Sequence, residues 1–248
     1  LAAMSTSRSY PQRRPLGHGR VAEGAAPVKP RDAGSLIIWR AGPGGAEVLM
    51  GRRSRKAAFV PDFFVFPGGR LDPADGAVRP ATPLDAEAVA RMGVRGDAAL
   101  AEALALAAVR ETFEETGLLL AEIGDVGDAA EAVSHPEWAQ WKARDLAPGL
   151  HRLRYFGRAI TSPSSPIRFH ARFFVARASE FQGEIAGSGE LSELAYYPAT
   201  EVLANMPVVD VTEFMLNRII AYAADPLRFD PRTPIFSYRD DGPFVRYE

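Results

Sequence analysis

The chain contains no cysteine. Disulfides, thiolate metal sites and a thiol nucleophile are therefore excluded, and the absence fits a reducing compartment. No apolar run approaches the roughly 18–20 residues that span a bilayer, and the first residues carry no apolar stretch of a secretory signal. The expectation is a cytoplasmic protein with no membrane partner. A dominant charge is missing too: 29 basic residues against 31 acidic ones leave a net charge of −2, which gives no global attraction to nucleic acid. His18, His135, His151 and His170 show no metal-ligand spacing. Ser162, Ser164 and Ser165 lack the context of an activated serine.

What is present suits one elaborated globular domain: 248 residues, 47% hydrophobic and 24% charged. Residues 1–34 are rich in Arg, Pro, Gly and Ser and read as a basic, poorly structured arm. This arm and a helix-rich C-terminal part are compatible with a homodimer. The domain proper is expected over residues 35–224, followed by a C-terminal extension over 225–248. Residues 35–40 and 47–53 read as strands around a Gly/Pro-rich turn, and residues 63–66 as another strand stopped by Pro67-Gly68-Gly69. Residues 71–96 carry three prolines and read as an insertion with little regular structure, or one short helix over 85–91. From about Asp97 to Thr116 the Ala, Leu and Glu content predicts a helix, capped by Gly117. Strands are expected over 153–161, 169–178 and 194–197, and helices over 200–205 and 211–224. The mixture points to an α/β sandwich.

One segment concentrates chemistry: Arg110-Glu111-Thr112-Phe113-Glu114-Glu115-Thr116-Gly117-Leu118. On a helix Glu111, Glu114 and Glu115 share one face, while Leu106, Val109 and Phe113 cluster roughly opposite, toward a core. Three carboxylates on neighbouring turns repel one another. A hard divalent cation relieves that repulsion, and oxygen ligands are those Mg²⁺ prefers. Arg110 is placed to hold one of the carboxylates. The plain alternative, a solvated acidic face on a structural protein, fits a lone E-x-x-E-E equally well. The surroundings favour chemistry, because Glu102 and Gly96 lie upstream and Pro-Gly-Gly ends the preceding strand.

This set resembles the box of the Nudix hydrolases, G-x5-E-x7-R-E-U-x-E-E-x-G-U with U apolar. Gly96, Glu102, Arg110, Glu111, Glu114, Glu115, Gly117 and Leu118 match it, and Thr112 departs from it at an apolar position. In the compact box the second glycine of the Gly-Gly pair is also the box glycine. Here Gly69 would fill that role, with an insertion of about 27 residues before Glu102, and Gly96 would match by accident. An ideal helix puts Glu102 half a turn away from Glu111, so it ranks as an indirect or weak ligand.

A box interrupted in this way is similar to one Nudix subgroup, which includes peroxisomal coenzyme A diphosphatases and bacterial relatives. The resemblance implies an α/β/α sandwich with a mixed sheet, an inserted loop between the Gly-Gly turn and the catalytic helix, and extra C-terminal helices. It implies a diphosphatase acting on a small nucleotide-like substrate, coenzyme A among the candidates, with Mg²⁺ or Mn²⁺ as cofactor. Glu111, Glu114 and Glu115 would hold the metal, together with the Gly69 carbonyl. Arg110 joins them as a catalytic residue, and Glu111 or Glu115, with Glu190 as a distant candidate, accepts a proton. Arg52, Arg168 and Arg172 are the candidate phosphate-binding residues, since guanidinium groups suit phosphate. The other reading within the family is a non-catalytic nucleotide-binding or regulatory module.

Overall fold

The computed structural model describes residues 26–226, 229, 232–239 and 242–248; most of the expected arm lies outside them. The chain runs β1 (Arg31–Gly42), β2 (Gly45–Arg53), β3 (Phe64–Val65), β4 (Gly68–Arg70), α1 (Ala86–Arg91), α2 (Ala98–Thr116) and β5 (Ala121–Ile123). It continues through α3 (Ala130–Ser134), α4 (Pro136–Lys142), β6 (Leu146–Pro148), β7 (Arg154–Ile160), β8 (Phe169–Arg177) and β9 (Leu191–Pro198). The last elements are α5 (Ala199–Asn205), α6 (Asp210–Ala224), β10 (Pro234–Arg239) and β11 (Gly242–Tyr247). The strands expected from residue 35 onward are present, and β1 starts earlier, at Arg31, inside the segment read as the arm.

The large sheet has the order β11-β10-β7-β8-β1-β2-β3, with β4 added to β1 and β9 to β2. It is mixed: β1 runs parallel to β8 and β10 parallel to β7, while the remaining pairs are antiparallel. Alternation along β1 covers both faces. Leu36 and Ile38 enter one core with α2, Trp138 and Trp141. Ile37 and Trp39 enter the other with Val202, Phe214, Met215 and Ile219 of α5 and α6. Helices on both faces of a mixed sheet make the α/β/α sandwich that the sequence led us to expect. Among the described residues no helix is long and apolar enough to cross a membrane.

Helix α2 follows from local chemistry. The Asp97 carboxylate accepts from Leu100 N–H at 2.9 Å at its start, and Gly117, with φ of 76°, donates to Phe113 C=O at its end. Its alanines bring backbones close. A Cβ at Gly34 of β1 would stand 2.4 Å from the Leu104 carbonyl oxygen, so only glycine lets the helix lie this near the sheet.

The short helix expected in the insertion over 85–91 is present as α1, but the insertion packs on the domain instead of looping out. Val78, Leu84, Ala88, Met92 and Val94 are buried in the α2-side core. Its prolines break regular structure without preventing burial, and a 3-10 turn over Pro73–Ala77 is closed by Asp72 and Asp75 as a capping box. The C-terminal extension is likewise a structured part of the sandwich: β10 and β11 form a hairpin that extends the main sheet beyond β7.

Candidate functional site

An open cleft of about 1510 Å³ collects the C-terminal end of α2, the Gly68-Gly69 turn, and the rims formed by His135, Glu137 and Glu190. From there it continues over the sheet face to the C-terminal hairpin. Glu111, Glu114 and Glu115 all line it, as their helical spacing requires. Gly69 packs against them so closely that a Cβ there would fall 2.2 Å from the Glu111 carboxylate carbon. Gly68 N–H donates to Glu115 Oε2 at 2.9 Å.

Arg110 sits beneath this cluster and is 3% exposed. Its Nε and Nη2 grip the two oxygens of Asp75 at 2.7 and 3.1 Å. Nη2 also donates to the Arg70 carbonyl at 2.9 Å. Nη1 reaches Glu111 at 2.9 Å and Glu114 at 3.5 Å. Asp75 is fully buried and accepts a further bond from Trp138 Nε1 at 3.0 Å. The guanidinium is thus occupied in fixing the insertion and two of the carboxylates, the work of a positioning residue. Burial opposes its charge, and Asp75 and Glu111 more than restore it, so its pKa is raised.

Burial pushes Glu115 up to about 8, with the Gly68 N–H bond opposing and the Glu111 charge adding. Burial likewise pushes Glu111 up to about 7, against the pull of Arg110. Glu114 is raised by burial and by Glu137. Among the described residues no three acidic or histidine side chains already stand at metal-binding distance from one another. The donor chemistry nevertheless fits a hard divalent cation: partly desolvated carboxylates gain most from a charge that neutralises them.

The remaining expectations separate by geometry. Glu102 lies nine residues before Glu111 on an unbroken α2, about 13.5 Å along the axis, and does not line the cleft. Gly96 forms a left-handed turn with open space around it, whereas Gly69 is the glycine at the carboxylates. Thr112 is fully buried, and its hydroxyl donates to Ala108 C=O at 2.8 Å, which accommodates a polar residue at an apolar position.

The three arginines expected at phosphate are not at the cleft. Arg52 is paired with Asp62 and Glu193. Its neighbour Arg53 lines the cleft and acts on Glu115 through charge, because successive strand residues face opposite sides. On β8 the odd-numbered Phe169, Ala171 and Phe173 line the cleft. Arg172 faces the other way, ion-paired with Asp32 and donating to His170 C=O at 2.8 Å. Arg168 precedes the strand and donates to the Thr161 and Val28 carbonyls at 3.1 and 2.7 Å. Asp75 was missed altogether. The Asp72-x-x-Asp75 capping pattern was its only signal, and nothing local announces its partner 35 residues away.

No family model matches the chain. Among solved structures it is similar to a NUDIX hydrolase from Alicyclobacillus acidocaldarius at 30% identity, TM-score 0.59, covering 78% of this chain and 92% of that one. It also aligns with a MutT NUDIX hydrolase from Burkholderia pseudomallei at 16% identity, TM-score 0.44, covering 77% and 98%. A mutator MutT protein from Bacillus halodurans follows at 14% identity, TM-score 0.45, covering 88% and 96%. With its sandwich fold and a 30% identical relative matched over nearly its whole length, the chain belongs to the Nudix hydrolase family.

Proposed function

We propose that the protein is a metal-dependent diphosphatase that splits the diphosphate linkage of a small nucleoside diphosphate-X substrate. The observation that carries this reading is the trio Glu111, Glu114 and Glu115 on one wall of an open cleft, Glu115 buried and the other two partly so, with Glu111 and Glu115 against Gly69 and Gly68 and held up to about 7 and 8. Glu111, Glu114 and Glu115, with the Gly69 carbonyl, would hold Mg²⁺ or Mn²⁺. Such an ion neutralises charge on phosphorus oxygens and acidifies a water. Arg110 keeps Glu111 and Glu114 aimed, and the Gly68 N–H restrains Glu115. Arg53 supplies positive charge on the cleft wall for the diphosphate. A carboxylate accepts the proton from the attacking water; Glu111, Glu115 and the cleft-lining Glu190 are the candidates.

The interrupted box favours coenzyme A or a derivative as the substrate, in a cytoplasmic enzyme with no nucleic-acid or membrane partner. The test is product release from coenzyme A, ADP-ribose, NADH, diadenosine polyphosphates and nucleoside triphosphates with Mg²⁺ and with Mn²⁺. Metal-dependent cleavage of at least one, abolished in a Glu114→Gln, Glu115→Gln double variant, is the expected outcome. Cleavage undiminished in that variant would remove the carboxylates from the reaction. Cleavage of ADP-ribose with coenzyme A untouched would remove only the coenzyme A assignment.

A further inference from the structure

Asp75 is the meeting point of three stretches of chain that lie far apart in sequence. It belongs to the insertion; Arg110 follows 35 residues later on α2, and Trp138 follows 63 residues later on α4. The carboxylate is fully buried and does not line the cleft. Its Oδ1 accepts from Arg110 Nε at 2.7 Å and from Trp138 Nε1 at 3.0 Å. Its Oδ2 accepts from Arg110 Nη2 at 3.1 Å and from the Asp72 N–H at 2.9 Å. An ionised carboxylate offers about four acceptor sites, so all of them are used. The carboxylate plane is thereby fixed from both sides, and the planar guanidinium bound to it is held in one orientation. In that orientation Nη1 is delivered to Glu111 and Glu114.

Among the groups that fix Asp75, the indole N–H has no other task. Trp138 is fully buried, and its ring packs against Trp141 with centroids 5.6 Å apart. Packing alone needs only an aromatic ring of about this size; what tryptophan adds is the donor. Trp141 supplies the contrast within the same helix. It is equally buried, yet its Nε1 has no hydrogen-bond partner among the described residues. Helix α4 also reaches the cleft itself through Pro136 and Glu137, so the bond to Asp75 ties this wall to the carboxylates of α2.

We infer that Trp138 is a positioning residue of the cation site: its N–H, acting through Asp75 and Arg110, holds Glu111 and Glu114 in the aim that a divalent cation requires. The inference rests on the diphosphatase reading for the cation, and adds to it a residue that touches neither cation nor substrate. Without the indole donor one lone pair of Asp75 is left buried and unmatched. The carboxylate then turns toward its remaining donors, Arg110 follows it, and Glu111 and Glu114 lose their common hold on Nη1. A cation must order them on arrival, and so binds more weakly.

The test is calorimetric titration of Mg²⁺ into three chains: wild type, Trp138→Phe and Trp141→Phe. Both variants exchange one buried indole for a phenyl ring on the same helix, and only the first loses a bonded N–H. Trp138→Phe is expected to weaken Mg²⁺ binding by about tenfold, the low end of what loss of an outer hydrogen-bonding partner costs a metal site. Trp141→Phe should bind as the wild type does. A purely structural role predicts lowered melting temperatures with cation affinity unchanged. Wild-type affinity in Trp138→Phe, or an equal loss in both variants, would therefore overturn the inference. If Trp138→Phe does not fold, NMR of the three indole N–H groups of the wild-type chain decides, with Trp39→Phe and Trp141→Phe assigning the signals. Mg²⁺ should shift the Trp138 signal more than the other two, and a Trp138 signal indifferent to Mg²⁺ would sink the proposal. A wild type that binds no Mg²⁺ would remove the cation reading and this inference together. Binding by the wild type with Trp138→Phe unaltered would remove this inference alone.

Discussion

The two ends of the cleft are built on opposite plans. At the α2 end the carboxylates are tied down by their neighbours: Arg110 spends its donors on Asp75, Arg70, Glu111 and Glu114, and Gly68 holds Glu115. At the hairpin end Ala33, Ala171 and Ala159 stand in register on the floor, and Asp210, bonded by Tyr238, lines it together with Arg239. The first end stores repulsion among desolvated carboxylates, held together by one buried arginine. The second is chiefly shape, a floor of small side chains. Chemistry that must handle a diphosphate needs the former, and discrimination between organic groups needs the latter.

The sharpest way to break the first end is Asp75→Ala. It leaves Arg110 buried beside an empty space, and removal of one partner of a buried ion pair costs about 3–5 kcal/mol. A thermal melt should show the loss, with activity falling alongside it. Gly69→Ala separates activity from stability, because its Cβ must displace the Glu111 carboxylate. Turnover should drop by about a hundredfold, as for misplacement near a reacting centre, while the melting temperature falls far less. A Glu111→Gln variant that lost less turnover than Glu190→Gln would place the base on the rim.

A pH experiment sharpens the comparison further. A carboxyl whose pKa is raised on folding favours the fold below its unfolded value and loses that advantage as pH rises through the folded value. For Glu115 the window runs from the ordinary 4.5 to about 8. In metal-free buffer the wild type should lose stability across that range. Glu115→Gln, whose side-chain oxygen can still accept from Gly68, should lose less and melt higher at the alkaline end. Wild-type and variant melts that stay parallel over this range would contradict the burial account. The smallest effect belongs to the hairpin end. Tyr238→Phe removes one bond to Asp210 and should cost about 1 kcal/mol, read as a small shift in a denaturant midpoint with little change in turnover.

Legibility in the sequence followed locality. The start and end of α2 were readable because Asp97 and Gly117 act within a turn of themselves. The trio on its last turns was readable because helical spacing alone puts Glu111, Glu114 and Glu115 together. Arg52 and Arg53 differ by one residue and so by a whole sheet face, which depends on register that no short window contains. Arg172 faces away from the cleft and Arg168 precedes β8, so their four-residue spacing could not say on which side the cleft opens. Nothing local in residues 225–248 announces β10 and β11, because the partner strand of β10, β7, lies 77 residues earlier. The pairing of Asp75 with Arg110 crosses the insertion in the same way. Contacts of this range are set by the packed sandwich and leave only generic composition behind in the chain.

The central claim is that Glu111, Glu114 and Glu115 form a cation site. Its most direct measurement is calorimetric titration of Mg²⁺ and Mn²⁺ near neutral pH in two buffers of different ionisation heat. Carboxyls held up to about 7 and 8 must release protons as a cation displaces them. The predicted result is saturable binding with a buffer-dependent heat, lost in Glu114→Gln, Glu115→Gln. Absent binding in the wild type, or binding that survives the double variant unchanged, would contradict it.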